Sequence, residues 1–145
     1  MRLTLHTDFG LRTLMYLAHV EGRASAAVLA KAYGISREHL VKVVQSLTRL
    51  GLVETKPGRG GGVQLAQDPA SIDIGEVIAS LEGHGVLECV ENPEACILEP
   101  GCRLRRKLMT AERAFYDSLR GTSLADLVAR PTPGRGVARL TPTTS

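Results

Sequence analysis

The run of elements between Ser25 and Ala66 constrains this chain more than any other feature. Ser25 caps a helix whose buried face carries Val28, Leu29 and Ala32, and Gly34 supplies a left-handed residue to end it. Only a short turn follows. Ser36 caps the next helix, and Ile35 before the cap with Leu40 inside it forms a hydrophobic staple. Leu40, Val43, Val44, Leu47 and Leu50 make the inward stripe of that helix. Arg37, His39, Lys42, Gln45, Ser46 and Arg49 make its outer face, and Gly51 stops it. Leu52 to Thr55 and Val63 to Ala66 then read as two short strands around the turn KPGRGGG at 56–62. Helix, tight turn, basic helix and charged hairpin in this order predict a helix-turn-helix with a wing.

Such a unit is built to meet DNA. Lys42, Arg49 and Lys56 are placed to neutralise phosphates, whereas Arg37, His39 and Arg59 are placed to test base edges or groove width. Ser36 at the helix start and Gly60 at the wing tip complete the expected contact set. A single module offers few contacts, so a homodimer on a roughly palindromic operator in double-stranded DNA is expected. The glycine-rich turn lacks the GxxxxGK[ST] pattern and does not run into a helix, which argues against nucleotide binding. Net charge is only +3 over 145 residues, so the position of the basic residues matters more than their total. They gather at Lys42, Arg49, Lys56 and Arg59, and again at Arg103, Arg105, Arg106 and Lys107. No nucleophile, base and orienting group form a catalytic motif, so the chain is not expected to be an enzyme. His6, His19 and His84 read by default as structural or solvent-facing. MRLTLHTDFG does not resemble a secretory signal and no apolar run is long enough for a bilayer, so the expected compartment is the cytoplasm, with no membrane partner.

Before this unit, Leu11, Leu14, Met15 and Ala18 recur at helical spacing after Thr7 and Asp8 as cap and first-turn residues. After it, Ile74, Val77, Ile78 and Leu81 predict a helix ended by Gly83. From His84 to Gly101 periodicity is lost, and Pro93, Pro100 and Gly101 predict an irregular loop. Periodicity returns with Leu104, Leu108, Ala111, Phe115 and Leu119, close to a heptad seam. That helix suits dimerisation, although the same stripe can pack on its own domain. Thr122 is the expected cap of a short SLADLV helix. The predicted fold is therefore mainly α with a small β-hairpin. A winged helix-turn-helix at 1–83 is followed by a cysteine-bearing loop at 84–102 and a long dimerisation helix at 103–121. A short helix at 122–130 and a disordered tail at 131–145 complete it.

The chain has three cysteines, Cys89, Cys96 and Cys102, all in the loop. In a reducing compartment an odd cluster of thiols points to metal binding or redox chemistry, not to structural disulfides. Their spacing, C-x6-C-x5-C, is wider than the close pairs that usually grip one zinc ion. Thiolates arriving from separated points of a loop suit the corners of an iron-sulfur cluster. On spacing, an iron-sulfur cluster ranks above zinc, and either ranks above three inert core thiols. The fourth ligand is open among His84, Glu88, Glu91, Glu94, Glu99, solvent or a residue from elsewhere.

The segments LTLHTDFGLRTLMYLA, YGISREHLVKVVQSLTRLGLVETKPGRGGGVQLA, IDIGEVIASLEG, CILEPGCRLRRKL and KLMTAERAFYDSLRGTSLADLV resemble the NsrR/IscR family of iron-sulfur winged-helix regulators, and most of all its nitric-oxide-responsive NsrR branch. The resemblance implies a homodimeric repressor whose cluster reacts with nitric oxide to release nitric-oxide detoxification genes. It also implies that Cys89, Cys96 and Cys102 are cluster ligands, and that Asp8, from the partner subunit, supplies a non-cysteine ligand. Arg12, one turn after Asp8, would hold that carboxylate in place. A histidine ligand of the IscR branch falls here on Arg105, which disfavours that type of site. A 4Fe-4S cluster is preferred, with 2Fe-2S as the alternative. Other readings are a redox- or iron-sulfur-status-sensing regulator, a zinc-stapled winged-helix regulator and, in a different class, an iron-sulfur electron carrier.

Overall fold

In a computed structural model of the chain, residues 2–83, 92, 96–98 and 101–129 are described. Helix α1 spans Leu5–Val20, α2 Ala26–Tyr33 and α3 Arg37–Arg49. Strands β1 (Val53–Lys56) and β2 (Gly62–Leu65) follow, then a 3-10 turn at Pro69–Ser71. Helices α4 (Ile74–Glu82), α5 (Arg103–Leu119) and α6 (Leu124–Val128) complete the order. Among the described residues no helix is long and apolar enough to cross a membrane.

The local signals explain most helix ends. Ser25 and Ser36 sit in extended backbone and accept from Val28 N and His39 N, each at 3.2 Å. Gly34 takes the left-handed conformation and its N–H returns to Ala30 O. At α1 the cap is Thr4 and not Thr7. Thr4 Oγ1 accepts from Thr7 N at 3.2 Å, which leaves Thr7 one turn inside the helix and fully buried. The short C-terminal helix likewise starts one residue later than expected. Ser123 caps α6, its Oγ accepting from Asp126 N while Asp126 Oδ2 accepts from the Ser123 N–H, which closes a capping box.

The core lies where α1 crosses α3, α4 and α6, and where α2 packs on α3. Leu14, Leu17, Leu29, Leu40, Val43, Leu47 and Leu124 are withdrawn from solvent. Each such side chain contributes roughly 1.5–3 kcal/mol relative to an exposed one. The expected faces need four corrections. Met15, Val28 and Ala32 are exposed because α1 and α2 each turn a narrower stripe inward than their composition allows, and Leu50 is exposed at the C-cap of α3, past the last helical residue. In α2 only Leu29 is buried.

The wing pairs Val53 with Leu65 through Lys56 with Gly62, antiparallel, with each strand displaced one residue from the expected range. The displacement follows from Leu52, whose N–H closes the end of α3 on Leu47 O. Ala24 joins as a third short partner by exchanging two 2.9 Å bonds with Val63.

Helix α5 runs as expected, but its apolar stripe divides. Phe115 and Leu119 pack on the core, with Tyr116 beside them, whereas Leu104 is 63% exposed and no residue of the helix is buried. Its end is tied to α4 by Asp73, the α4 cap. Asp73 Oδ1 accepts from Glu76 N at 3.0 Å and Oδ2 from Gly121 N at 2.7 Å. Ile74 N to Thr122 O and Leu124 N to Ile72 O, both 2.9 Å, complete the seam. The tail from 131, Cys89, Pro93, Pro100 and most of the loop lie outside the described residues.

Candidate nucleic-acid interface and thiol centre

The outer face of α3 is open as its pattern requires. Arg37, His39, Lys42, Gln45 and Arg49 are exposed, while Leu40, Val43, Val44 and Leu47 anchor the opposite side. Ser36 is exposed too, its hydroxyl engaged as the cap. The His39 ring meets Phe9 of α1 edge to face at 5.8 Å, so this side chain is oriented from behind the helix. Lys56, Arg59 and Gly60 stand exposed on the hairpin. Gly58 and Gly60 both have positive φ, and Gly61 N closes the turn on Gly58 O at 3.0 Å. The wing root is braced on its flank. Arg23 Nε donates to Gln64 Oε1 at 2.5 Å, and Gln64 Nε2 donates to Glu54 Oε1. Recognition helix and wing thus each present exposed cations, Arg37, Lys42 and Arg49 on α3 and Lys56 and Arg59 on the hairpin. Such cations can neutralise a duplex backbone.

The thiol centre is assembled from different elements. Cys102 caps α5, its Sγ accepting from Arg105 N at 3.4 Å, and both Cys102 and Cys96 are half-buried free thiols. Cys102 Sγ thus lies at the N-terminus of α5, at the positive end of the helix dipole. Arg105 lies one turn into α5, where its backbone serves the cap. Cys89 lies outside the described residues. Asp8 is in the first turn of α1 and Arg12 Nε reaches its Oδ1 at 2.9 Å, so the expected ion pair is present between two half-exposed side chains. Among the described residues no three His, Cys, Asp or Glu side chains converge on one point within the chain. Half-buried thiols and an accessible carboxylate are the donor types that iron accepts.

Sequence reasoning missed the frame that joins these parts. Glu82, the last residue of α4 before the loop, accepts from Thr4 N at 2.7 Å and from Thr4 Oγ1 at 2.9 Å. Burial pushes the Glu82 carboxyl up, but hydrogen bonds from Thr7 and Thr4 outweigh it and hold the group below the usual carboxylate range. The loop entrance is therefore fastened to the turn that carries Asp8. Tyr33 of α2 donates to Arg12 O at 2.8 Å. Burial, with Tyr16 adding to it and Arg12 opposing, raises its phenol to about 12, so it remains a donor. The Glu82 contact carries no local signal.

A profile of the Rrf2 family, described as iron-dependent transcriptional regulators, matches residues 3–130. The chain belongs to the Rrf2 family. It is accordingly a DNA-binding transcriptional regulator, of a family whose members regulate transcription and are typically dimeric. Among solved structures it is similar to CymR (YrzC), the global cysteine regulator of B. subtilis. The identity is 28%, with 89% of this chain and 97% of that one covered and a TM-score of 0.70. The oxidized form of Staphylococcus aureus CymR is 25% identical, with 90% and 98% covered and a TM-score of 0.69. T. potens IscR, at 23% identity, 92% and 94% coverage and a TM-score of 0.65, shares the fold. The expected winged helix is thus the architecture of this Rrf2 protein.

Proposed function

We propose that this Rrf2 protein is a homodimeric repressor whose grip on operator DNA is controlled by an iron-sulfur cluster and released by nitric oxide. Cys89, Cys96 and Cys102 would hold the cluster, with Asp8 contributed by the second protomer and Arg12 steadying it. The observation that carries the reading is the placement of Cys102. Its sulfur sits half-buried at the N-terminus of α5, while the opposite end of the same loop is fastened through Glu82 to the α1 turn bearing Asp8. The iron dependence of the family supports the same reading. When bound, the cluster supplies iron that a small diatomic gas can attack, 4Fe-4S being preferred over 2Fe-2S.

The chain's own residues do the rest. Arg37, His39, Lys42, Arg49, Lys56, Arg59, Ser36 and Gly60 present the DNA face, and α5 offers Leu104 and Met109 to a second copy. Thr4, Glu82 and Asp73 tie α4 to α1 and to the end of α5, so a movement of α4 would be felt by α1 and α3 together. The likeness to a cysteine regulator favours one second reading, in which the loop thiols act without a cluster.

The test is anaerobic purification, an absorption spectrum, and iron and acid-labile sulfide analysis of one sample, followed by nitric-oxide titration of DNA binding. Near-equal iron and sulfide, about four of each per chain for a cubane or two for the smaller cluster, is expected. Asp8→Ala should weaken cluster retention or alter the gas response with the fold intact. An unaltered spectrum and response would remove Asp8 from the site. A colourless protein with stoichiometric zinc would sink the sensor reading.

A further inference from the structure

A polar chain of three residues connects α1 to the DNA-facing side of α3. His6 Nε2 lies 3.1 Å from Ser46 Oγ, across 40 residues of sequence, and Arg49 Nη2 donates to the same oxygen at 3.1 Å. A hydroxyl has one proton and two lone pairs, so Ser46 can take the Arg49 donor and still bond His6 in either tautomer. These side chains border a cleft of about 160 Å³ that Leu50, Ser80 and Leu81 also line. The end of α4, the first turn of α1 and the recognition helix therefore meet at one point. His6 and Ser46 are half-buried, while Arg49 is exposed.

We propose that His6 is a positioning residue for DNA binding. Through Ser46 it holds the Arg49 guanidinium at an orientation set by the first turn of α1. The inference rests on the proposed function, in which α3 faces DNA and the Asp8 turn belongs to the sensory site. The physical argument concerns freedom. An exposed arginine samples many rotamers, and ordering it on a phosphate costs entropy that a prior anchor removes. One of its five N–H donors is spent on Ser46, which leaves four for a phosphate. Because His6 and Asp8 share the first turns of one helix, a movement of that turn shifts Ser46's partner and loosens Arg49. Helix α1 thus reaches one DNA contact directly, beyond any change in the spacing of two protomers.

The experiment uses the full chain with its cofactor and a duplex that the wild-type protein selects from a random-sequence pool. Binding is measured against salt for Arg49→Ala, His6→Leu, Ser46→Ala, Ser46→Thr and the His6→Leu/Arg49→Ala pair, each with its unfolding curve. Arg49→Ala should weaken binding and lower the slope of log K against log salt by about 0.9, one phosphate contact. His6→Leu and Ser46→Ala should each weaken binding about five-fold, the value of one hydrogen bond. Both should lower the slope in the same direction, and Ser46→Thr should restore it. In the Arg49→Ala background, His6→Leu should add nothing. If Arg49→Ala changes neither affinity nor slope, the assignment of this face to DNA fails and the inference with it. If Arg49→Ala acts as expected but Ser46→Ala and His6→Leu bind as wild type, the inference alone is overturned. A His6→Leu loss that persists in the Arg49→Ala background, with no change in slope, would make His6 a packing residue. Should His6→Leu fail to fold, Ser46→Ala decides the matter, since it cuts the same chain at a single hydroxyl.

Discussion

Replacing Asp73 by Ala removes two separate bonds and should loosen the seam between α4 and the end of α5. The first is the α4 cap to Glu76 N, worth about 1 kcal/mol. The second is the 2.7 Å bond from Gly121 N, which ties α4 to the residue just past α5. A hydrogen bond to a charged group contributes about 1.5–3 kcal/mol, and exposure to water reduces this one to about 1 kcal/mol. Asp73→Ala should thus cost about 2 kcal/mol, a fall in Tm of roughly 5–8 °C for a domain of this size. Asp73→Asn keeps a competent cap but turns an amide N–H toward Gly121 N–H, so about half the loss should remain. The pH dependence has a definite sign. The Gly121 and Glu76 N–H groups hold the Asp73 carboxyl below the usual carboxylate range. Its contribution is therefore fully present above the unfolded value of about 3.9 and is lost as pH falls through the folded pKa. Urea unfolding of wild type and both variants should show a constant gap between about pH 5 and 8 that narrows below about pH 4. A gap under about 0.5 kcal/mol at neutral pH, or one that does not narrow in acid, would refute the reasoning.

Gly62 has φ +140°, and a Cβ there would lie 2.7 Å from Ala24 O. Gly62→Ala should cost about 1–3 kcal/mol in urea unfolding and weaken DNA binding further by shifting the wing; wild-type stability would show that the seam tolerates a side chain. Cys102→Ser separates structure from chemistry, because serine is a strong helix cap. Melting of the metal-free variant should match or exceed wild type by up to about 1 kcal/mol while iron and sulfide retention collapses; a large loss of metal-free stability would show the sulfur to be a structural element first.

The candidate interface was largely legible. Ser36 and the Leu40, Val43, Val44 and Leu47 stripe read correctly because each rests on spacing within three or four residues of one helix. The wing was recognised from its glycines, with strands displaced by one residue. Errors arose where two neighbours could serve equally by local rules. Thr4 and Thr7 both precede the α1 stripe, and Thr122 and Ser123 both precede SLADLV; in each case geometry chose the residue whose oxygen reaches the N–H three positions on. Val28 and Met15 misled for another reason. An apolar side chain suggests an inward face, but how wide a face is covered depends on the partner helix.

By itself, then, the sequence determined the caps of α2 and α3, the helix-turn-helix, the wing and the grouping of thiols in one loop, because a side chain and a backbone group a few residues apart meet through local chain geometry alone. Only the tertiary structure decided that Glu82 fastens the loop entrance to Thr4, that Ser46 joins His6 to Arg49, and that α5 packs by its C-terminal half and leaves Leu104 in solvent. The first of these contacts spans 78 residues. Such links exist only once the core has set the helices against one another, since packing, and not spacing along the chain, brings the two groups within bonding distance.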